Sequence, residues 1–354
     1  MKIKILLIKF RNIGDVLLST PLIDNLKSNF QDCIIDYAIN AESEEILKHN
    51  PKINKLFLYE RRKVKNRWFL PRLLEEYHFI KKIRKEHYDI VINLTEGDRG
   101  ILVGLLSGAK KILTYPPKKL NFSLFRRRIS YNYCDKYLHT VEKDLNFCKM
   151  LEVNISAKKV EIFHSIDSIN KINKILIDKN LNKFVVVHPV SRWMFKCWDK
   201  EKMAMVIDYI VSQLGINVVV TSSNDRLEKY ELQNILNFCK EDVIVLSGGL
   251  TISELSYLIS KAVFFFGVDS APMHLAAANN IPVNSLFGAS HPSIWGPWDE
   301  NAKNLYKNID GTQKSGIHKI ISRTDHEIYY ENLDKKSRGM DQISYKDVIN
   351  LLKI

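Results

Sequence analysis

Short runs of consecutive apolar residues, each followed by a segment of helical periodicity, recur along this chain from its first residues to about position 290. In the first half, KILLIKF (4–10), IIDYAI (34–39), KLFLY (55–59) and YDIVINL (88–94) read as strands. Helical patterns near 15–29, 42–48 and 70–86 separate them. In the second half, FVVVHP (184–189), NVVVTS (217–222), VIVLSG (243–248), AVFFFGVD (262–269) and PVNSLFG (282–288) alternate with helical patterns at 199–213, 226–239, 251–260 and 271–279. Strands apolar at every position are covered on both faces, so the pattern predicts parallel sheets flanked by helices. Two such series predict an α/β chain of two Rossmann-like domains, 1–168 and 175–330, joined near the polar stretch SIDSINKINK (165–174). Residues 331–354 read as a tail, part of an irregular polar stretch from about 300 to 342, with Ser344 capping a last helix, YKDVINLL (345–352). Ligands of open α/β sheets bind at the carboxyl ends of the strands, so the two domains are expected to face each other across a cleft lined by strand-end loops.

A length of 354 residues suits two domains with ample core. No apolar run reaches the ~18 residues that cross a bilayer. The opening MKIKILLIKFRN is too short in its apolar part for a secretory signal and lacks a small-residue cleavage site, so a cytoplasmic protein is expected. The five cysteines (Cys33, Cys134, Cys148, Cys197, Cys239) are scattered and form no CxxC pair, which favours free thiols over a zinc site or disulfide framework.

Charge changes the picture more than composition does. The net charge is +13, and residues 1–180 hold 34 Lys+Arg against 21 Asp+Glu, whereas the remaining 174 residues hold 19 of each. RRKVKNR (61–67), the lysine pairs at 81–82, 110–111 and 118–119, and RRR (126–128) carry much of the excess. One basic half beside a neutral half predicts a large anionic partner on one side only: nucleic acid, a membrane face or a phosphorylated glycolipid.

Three strand-end segments carry candidate chemistry. In KFRNIGDVLLSTP (9–21), Gly14 permits a tight turn and Asp15 opens a helix directly after a strand. Asp15 is either a first-turn residue favoured by the helix dipole or a base aimed into a cleft. Neither GxGxxG nor GxxxxGK[ST] occurs here, which counts against a dinucleotide-binding oxidoreductase or a P-loop. In HPVSRWMFKCWDKEKM (188–203), Ser191, Arg192 and Lys196 suit a phosphate or pyrophosphate, while Trp193 and Trp198 could equally pack the following helix. In FFFGVDSAPMHLAAANNIPVNSLFG (264–288), Asp269, Ser270 and Ala271 precede Pro272 at a first-turn position. Free amides at that helix start form an anion site. Periodicity alone makes His274 a core histidine.

Together these segments resemble glycosyltransferase family 9, the heptosyltransferases of lipopolysaccharide core assembly. KFRNIGDVLLSTPL is similar to the family's opening signature and GVDSAPMHLAAA to its nucleotide-sugar motif. HPVSRWMFKCW, NLTEGDRG (93–100) and GPWD (296–299) are most similar to the type III enzymes. Ala271 stands where many members carry glycine, and the tail after Pro297 lacks a cysteine-containing pattern of many type III relatives. The resemblance implies the GT-B fold and an inverting, metal-independent transfer of heptose from ADP-heptose to an inner-core heptose. It makes Asp15 the general base and places Lys196 at the leaving diphosphate, with Ser191 and Arg192 beside it. Asp269, Ser270, Ala271 and His274 then belong to the donor site, Glu228 to the ribose hydroxyls (Asp225 competing) and Leu250 to the adenine. Arg61, Arg62, Lys63, Arg126, Arg127 and Arg128 are the choices for acceptor phosphates, and Arg99 for the acceptor pocket. The implied acceptor is a phosphorylated lipid A–core glycolipid, reached by peripheral contact with the inner membrane. The competing reading is a non-catalytic nucleic-acid-binding module that uses the basic half, with Trp68 and Phe69 beside RRKVKNR as stacking residues.

Overall fold

The computed structural model describes residues 2–61, 69–332 and 334–353. The described chain divides into two compact units between Phe163 and His164. In the first, strands β1 (Lys4–Lys9), β2 (Ile34–Asn40), β3 (Lys55–Tyr59), β4 (Ile90–Asn93), β5 (Lys111–Thr114) and β6 (Ile129–Tyr131) form one parallel sheet of order β3-β2-β1-β4-β5-β6. Ile5 to Ile8 of β1 have no solvent exposure, as expected for a central strand covered on both faces.

The second unit has β7 (Phe184–His188), β8 (Asn217–Ser222), β9 (Ile244–Ser247), β10 (Phe265–Val268), β11 (Val283–Phe287), β12 (Gly311–Ser315) and β13 (His318–Ser322). Their order is β12-β13-β11-β10-β7-β8-β9, parallel except for the β12–β13 pair. A small hairpin, β14 (Ile328–Glu331) with β15 (Asp334–Ser337), follows. β10 lies so close to β7 that a Cβ on Gly267 would meet the His188 carbonyl oxygen at 2.5 Å, so only glycine fits there.

Two parts of the sequence reading are corrected. The polar stretch 165–174, near which the domains were expected to join, lies within the second unit: Ile166–Asp178 is a helix, capped by Ser165 and packed on the helix Ile252–Ile259. Its isoleucines recur every three residues, and Ile172 is fully buried. The stretch from 300 to 342 is not irregular throughout, since Gly311–Ser315, His318–Ser322, Ile328–Glu331 and Asp334–Ser337 are strands, and the last helix, Tyr345–Leu352, does not stand apart. Val348, Leu351 and Leu352 join the core of the second unit, and the Trp198 indole N–H donates to the Ile343 carbonyl at 3.2 Å. Trp198 is therefore a core residue that fastens the C-terminal segment.

Candidate active site

Among its parallel strands, each sheet has one place where the order reverses: between β1 and β4 in the first unit, and between β7 and β10 in the second. Loops diverge at such a point and leave a crevice at the carboxyl ends of the strands. Asp15 and the Lys196–Asp269 region sit at these two points.

In the first unit, Asp15 lies in the first turn of Ile13–Leu18, the helix entered directly from β1. The β1 and β4 loops are tied where Phe10 N–H donates to Thr95 Oγ1 at 2.8 Å. Asp15 is half-buried, and this desolvation raises its pKa. Lys9, Arg11 and the backbone N–H groups of Asn12 and Asp15 pull in the opposite direction without cancelling it. A carboxylate with raised proton affinity at a strand-end crevice has what a general base needs.

Beneath it lies a polar network that the sequence reading did not single out. Lys9 and Asp144, each 2% exposed, form a buried ion pair, and Tyr115 donates its hydroxyl to Asp144 at 3.0 Å. Asp144 lies on the helix Thr140–Met150, which packs on Ile13–Leu18. Burial pushes the Asp144 carboxyl up, Lys9 and Tyr115 pull it down, and the charge of Asp15 adds to the rise. The one signal in the sequence is Lys9 itself, a lysine directly after the buried run Ile5–Ile8.

In the second unit, three adjacent strand ends converge. Lys196 follows β7, Asp269 follows β10 and Ser290 follows β11. Lys196 Nζ meets Asp269 Oδ2 at 2.6 Å, and the Ser290 hydroxyl donates to the same oxygen. Burial alone would raise the Asp269 pKa, but Lys196, His274 and Ser290 outweigh it, so Asp269 is held below the usual carboxylate range. His274 is buried on the helix Ala271–Ala278 and its pKa is lowered to about 4, which makes it a neutral imidazole near neutral pH. His274 Nδ1 and Ser270 Oγ are buried without hydrogen-bond partners among the described residues. Buried orphan polar atoms beside an ammonium and a helix start match the needs of a polar, anionic ligand.

The other candidates sort by what their side chains touch. Ser191 braces its own loop, accepting from Trp193 N–H at 3.3 Å, while Arg192 is exposed, 5.7 Å from the Trp193 ring. Glu228 is buried behind β8 and accepts from Ser223 N–H at 2.9 Å, whereas Asp225 is committed as the cap of Arg226–Leu236. Leu250 is half-buried after β9. Two of the arginines chosen for the acceptor also make contacts within the chain. Arg128 donates to the carbonyls of Ala109 and Leu105 at the end of the helix Asp98–Leu106 (2.7 and 3.3 Å from Nη2). Arg99 pairs with Glu76 at 3.2 Å and stacks 3.6 Å from the Tyr59 ring centroid. Arg61, Arg126 and Arg127 are exposed, while Arg62 and Lys63, with Trp68, lie outside the described residues. Among the described residues, no group of three or more His, Cys, Asp or Glu could hold a metal ion, and no helix is long and apolar enough to cross a membrane.

Comparison with known proteins points one way. The model of glycosyltransferase family 9 (heptosyltransferase) matches residues 77–322. The chain is 35% identical over 292 residues to lipopolysaccharide heptosyltransferase 3 of Escherichia coli, a match spanning 81% of this chain and 84% of that one. A family 9 glycosyltransferase structure from Veillonella parvula superposes with a TM-score of 0.80 at 21% identity, covering 99% of this chain and 96% of that one. The Escherichia coli ADP-heptose lipopolysaccharide heptosyltransferase II superposes with a TM-score of 0.74 at 18% identity, covering 99% and 97%. The two Rossmann-like units are thus those of the GT-B fold, and the nucleic-acid-binding alternative finds no support.

Proposed function

The chain belongs to glycosyltransferase family 9, the heptosyltransferases, and from that premise we propose that it transfers heptose from ADP-heptose to an inner-core heptose of lipopolysaccharide. The observation that carries this reading is the convergence of Lys196 and Ser290 on buried Asp269 at the switch point of the second sheet. Asp269 anchors the ammonium, whose other donors are left for diphosphate oxygens. The first-turn amides of Ala271–Ala278, Ser270 and neutral His274 complete the polar surround. Ser191 and Arg192 flank it, Glu228 takes the ribose hydroxyls and Leu250 backs the adenine.

The roles divide between the units. Asp15 accepts the proton of the acceptor hydroxyl as that oxygen attacks the anomeric carbon. The bond from that carbon to the diphosphate oxygen breaks, ADP leaves with the electron pair, and the new glycosidic bond has inverted configuration. Lys196 and the helix amides stabilise the developing negative charge, a role for which this reading invokes no metal. Arg61, Arg126 and Arg127 are the exposed cations available to the phosphorylated lipid A–core acceptor, and on this reading the enzyme works peripherally at the cytoplasmic membrane face.

Calorimetric titration tests the donor assignment: ADP should bind, and UDP, GDP and NAD should bind far more weakly. Lys196→Ala should weaken ADP by about 10–100-fold, the worth of a charged hydrogen bond to diphosphate. Because that variant also strands Asp269, its melting temperature is measured alongside. ADP binding unchanged in a folded Lys196→Ala protein would remove Lys196 from the donor site.

A further inference from the structure

The first unit carries exposed apolar side chains where a water-facing surface should be polar. The helix Asp98–Leu106 turns Gly100, Ile101, Val103 and Gly104 inward, yet its outer face carries Leu102 and Leu106, both exposed. The neighbouring helix Phe69–Arg84 packs beside it and exposes Leu73, Leu74 and Tyr77. The segment 118–128 is fastened to both ends of Asp98–Leu106. The Asp98 carboxylate accepts from Lys118 and Lys119 N–H, and the Arg128 guanidinium holds the Leu105 and Ala109 carbonyls.

At the middle of that segment, Leu124 is 93% exposed, with Leu120 and Phe125 exposed nearby. This exposure is built into the fold rather than left by a loose loop. Leu124 sits in a 3-10 turn, Ser123–Phe125, whose preceding residue Phe122 is buried in the core of the unit. Phe125 N–H donates to Phe122 O at 2.9 Å, and Arg128 N–H to Phe125 O at 2.8 Å. Two hydrogen bonds and a buried anchor hold an apolar tip out in water. Around it stand Lys119, Arg126 and Arg127, exposed cations that make no ion pair among the described residues. Exposed leucines and a phenylalanine rimmed by unpaired cations match an anionic bilayer, whose acyl boundary takes the apolar tips while its headgroups take the charges.

We propose that the turn at Leu124–Phe125, with the outer faces of Asp98–Leu106 and Phe69–Arg84, is a membrane-docking surface for anionic phospholipid. It rests on the proposed reading only in that a lipid-linked acceptor makes docking useful. The test uses neither donor nor acceptor, so its failure leaves the transferase assignment standing. The full chain is co-sedimented with vesicles of phosphatidylcholine alone and of phosphatidylcholine mixed with phosphatidylglycerol. Binding to the mixed vesicles, weakening with added salt, is expected. Leu124→Ser with Phe125→Ser should weaken it by about tenfold or more, and Arg126→Ser with Arg127→Ser by a similar factor. Transfer to a delipidated, water-soluble acceptor by the Leu124/Phe125 variant should equal that of the parent. Failure of the parent to bind mixed vesicles, or undiminished binding by the Leu124/Phe125 variant, would overturn the proposal. So would a parent dimer in sedimentation velocity that this variant dissolves, since the surface would then belong to a second copy.

Discussion

Asp15→Asn is expected to lower transfer turnover by roughly a hundred- to ten-thousandfold, the usual worth of a positioned general base. ADP affinity should not change, because Lys196, Asp269 and His274 all lie in the other unit. Asparagine keeps the size of the side chain and its capacity to accept a hydrogen bond at the helix start, so loss of folding is not the expected cause. The pH dependence gives an independent reading. The base works only when unprotonated, so kcat/KM should fall as pH falls through the Asp15 pKa. Burial displaces that pKa above the ordinary aspartate value, and Lys9 and Arg11 limit the rise. The acid limb of the profile should therefore lie above the ordinary aspartate value, and the residual activity of Asp15→Asn should lack it. Turnover near the parent level in the asparagine variant would show that another group takes the proton.

The fold was legible wherever apolar runs were long, and illegible where they were short or one-sided. KILT and ISY, at 111–114 and 129–131, offer four and three residues, too few for a pattern, and basic clusters stand beside them. GTQKS (311–315) is an edge strand paired on one side only and so tolerates polar residues. Its hairpin depends on a positive φ at Gly316 (+56°), a backbone choice that carries no hydrophobic signal. Isoleucines at 166, 169 and 172 did mark a helix, but the polar residues between them masked it.

Site residues divided in the same way. Asp15, Lys196 and Asp269 follow strands at switch points, so local sequence was enough to single them out as candidates. Arg128 and Arg99 lie in basic or strand-end stretches that local sequence cannot tell from ligand-binding ones. Only the fold reveals that one holds carbonyls and the other is paired and stacked. Ser290 lies two residues beyond a motif already recognised, and its role depends on β11 lying beside β10. Lys9 and Asp144 are 135 positions apart, and no local pattern joins them.

That pair yields the largest expected loss of stability. Lys9→Met leaves Asp144 ionisable, almost wholly buried and, among the described residues, held only by the Tyr115 hydroxyl. Breaking a buried ion pair from one side typically costs about 3–5 kcal/mol. For a unit of this size, that corresponds to a fall in melting temperature of roughly 6–20 °C. Replacing both partners, as in Lys9→Met with Asp144→Leu, removes both desolvated charges and should recover most of the loss. A double variant no more stable than the single one would mean that packing around Lys9, not its charge, holds the unit together. The catalytic profile should follow the same logic with a definite sign. Lys9 lowers the proton affinity of Asp15, so its removal moves the acid limb of kcat/KM to higher pH. The like charges of Asp144 and Asp15 raise each other, so removing Asp144 as well moves the limb back towards the parent position. Stability and pH profile would then recover together in the double variant, because one buried charge pair both fastens the helix Thr140–Met150 under β1 and sets the basicity of the carboxylate above it.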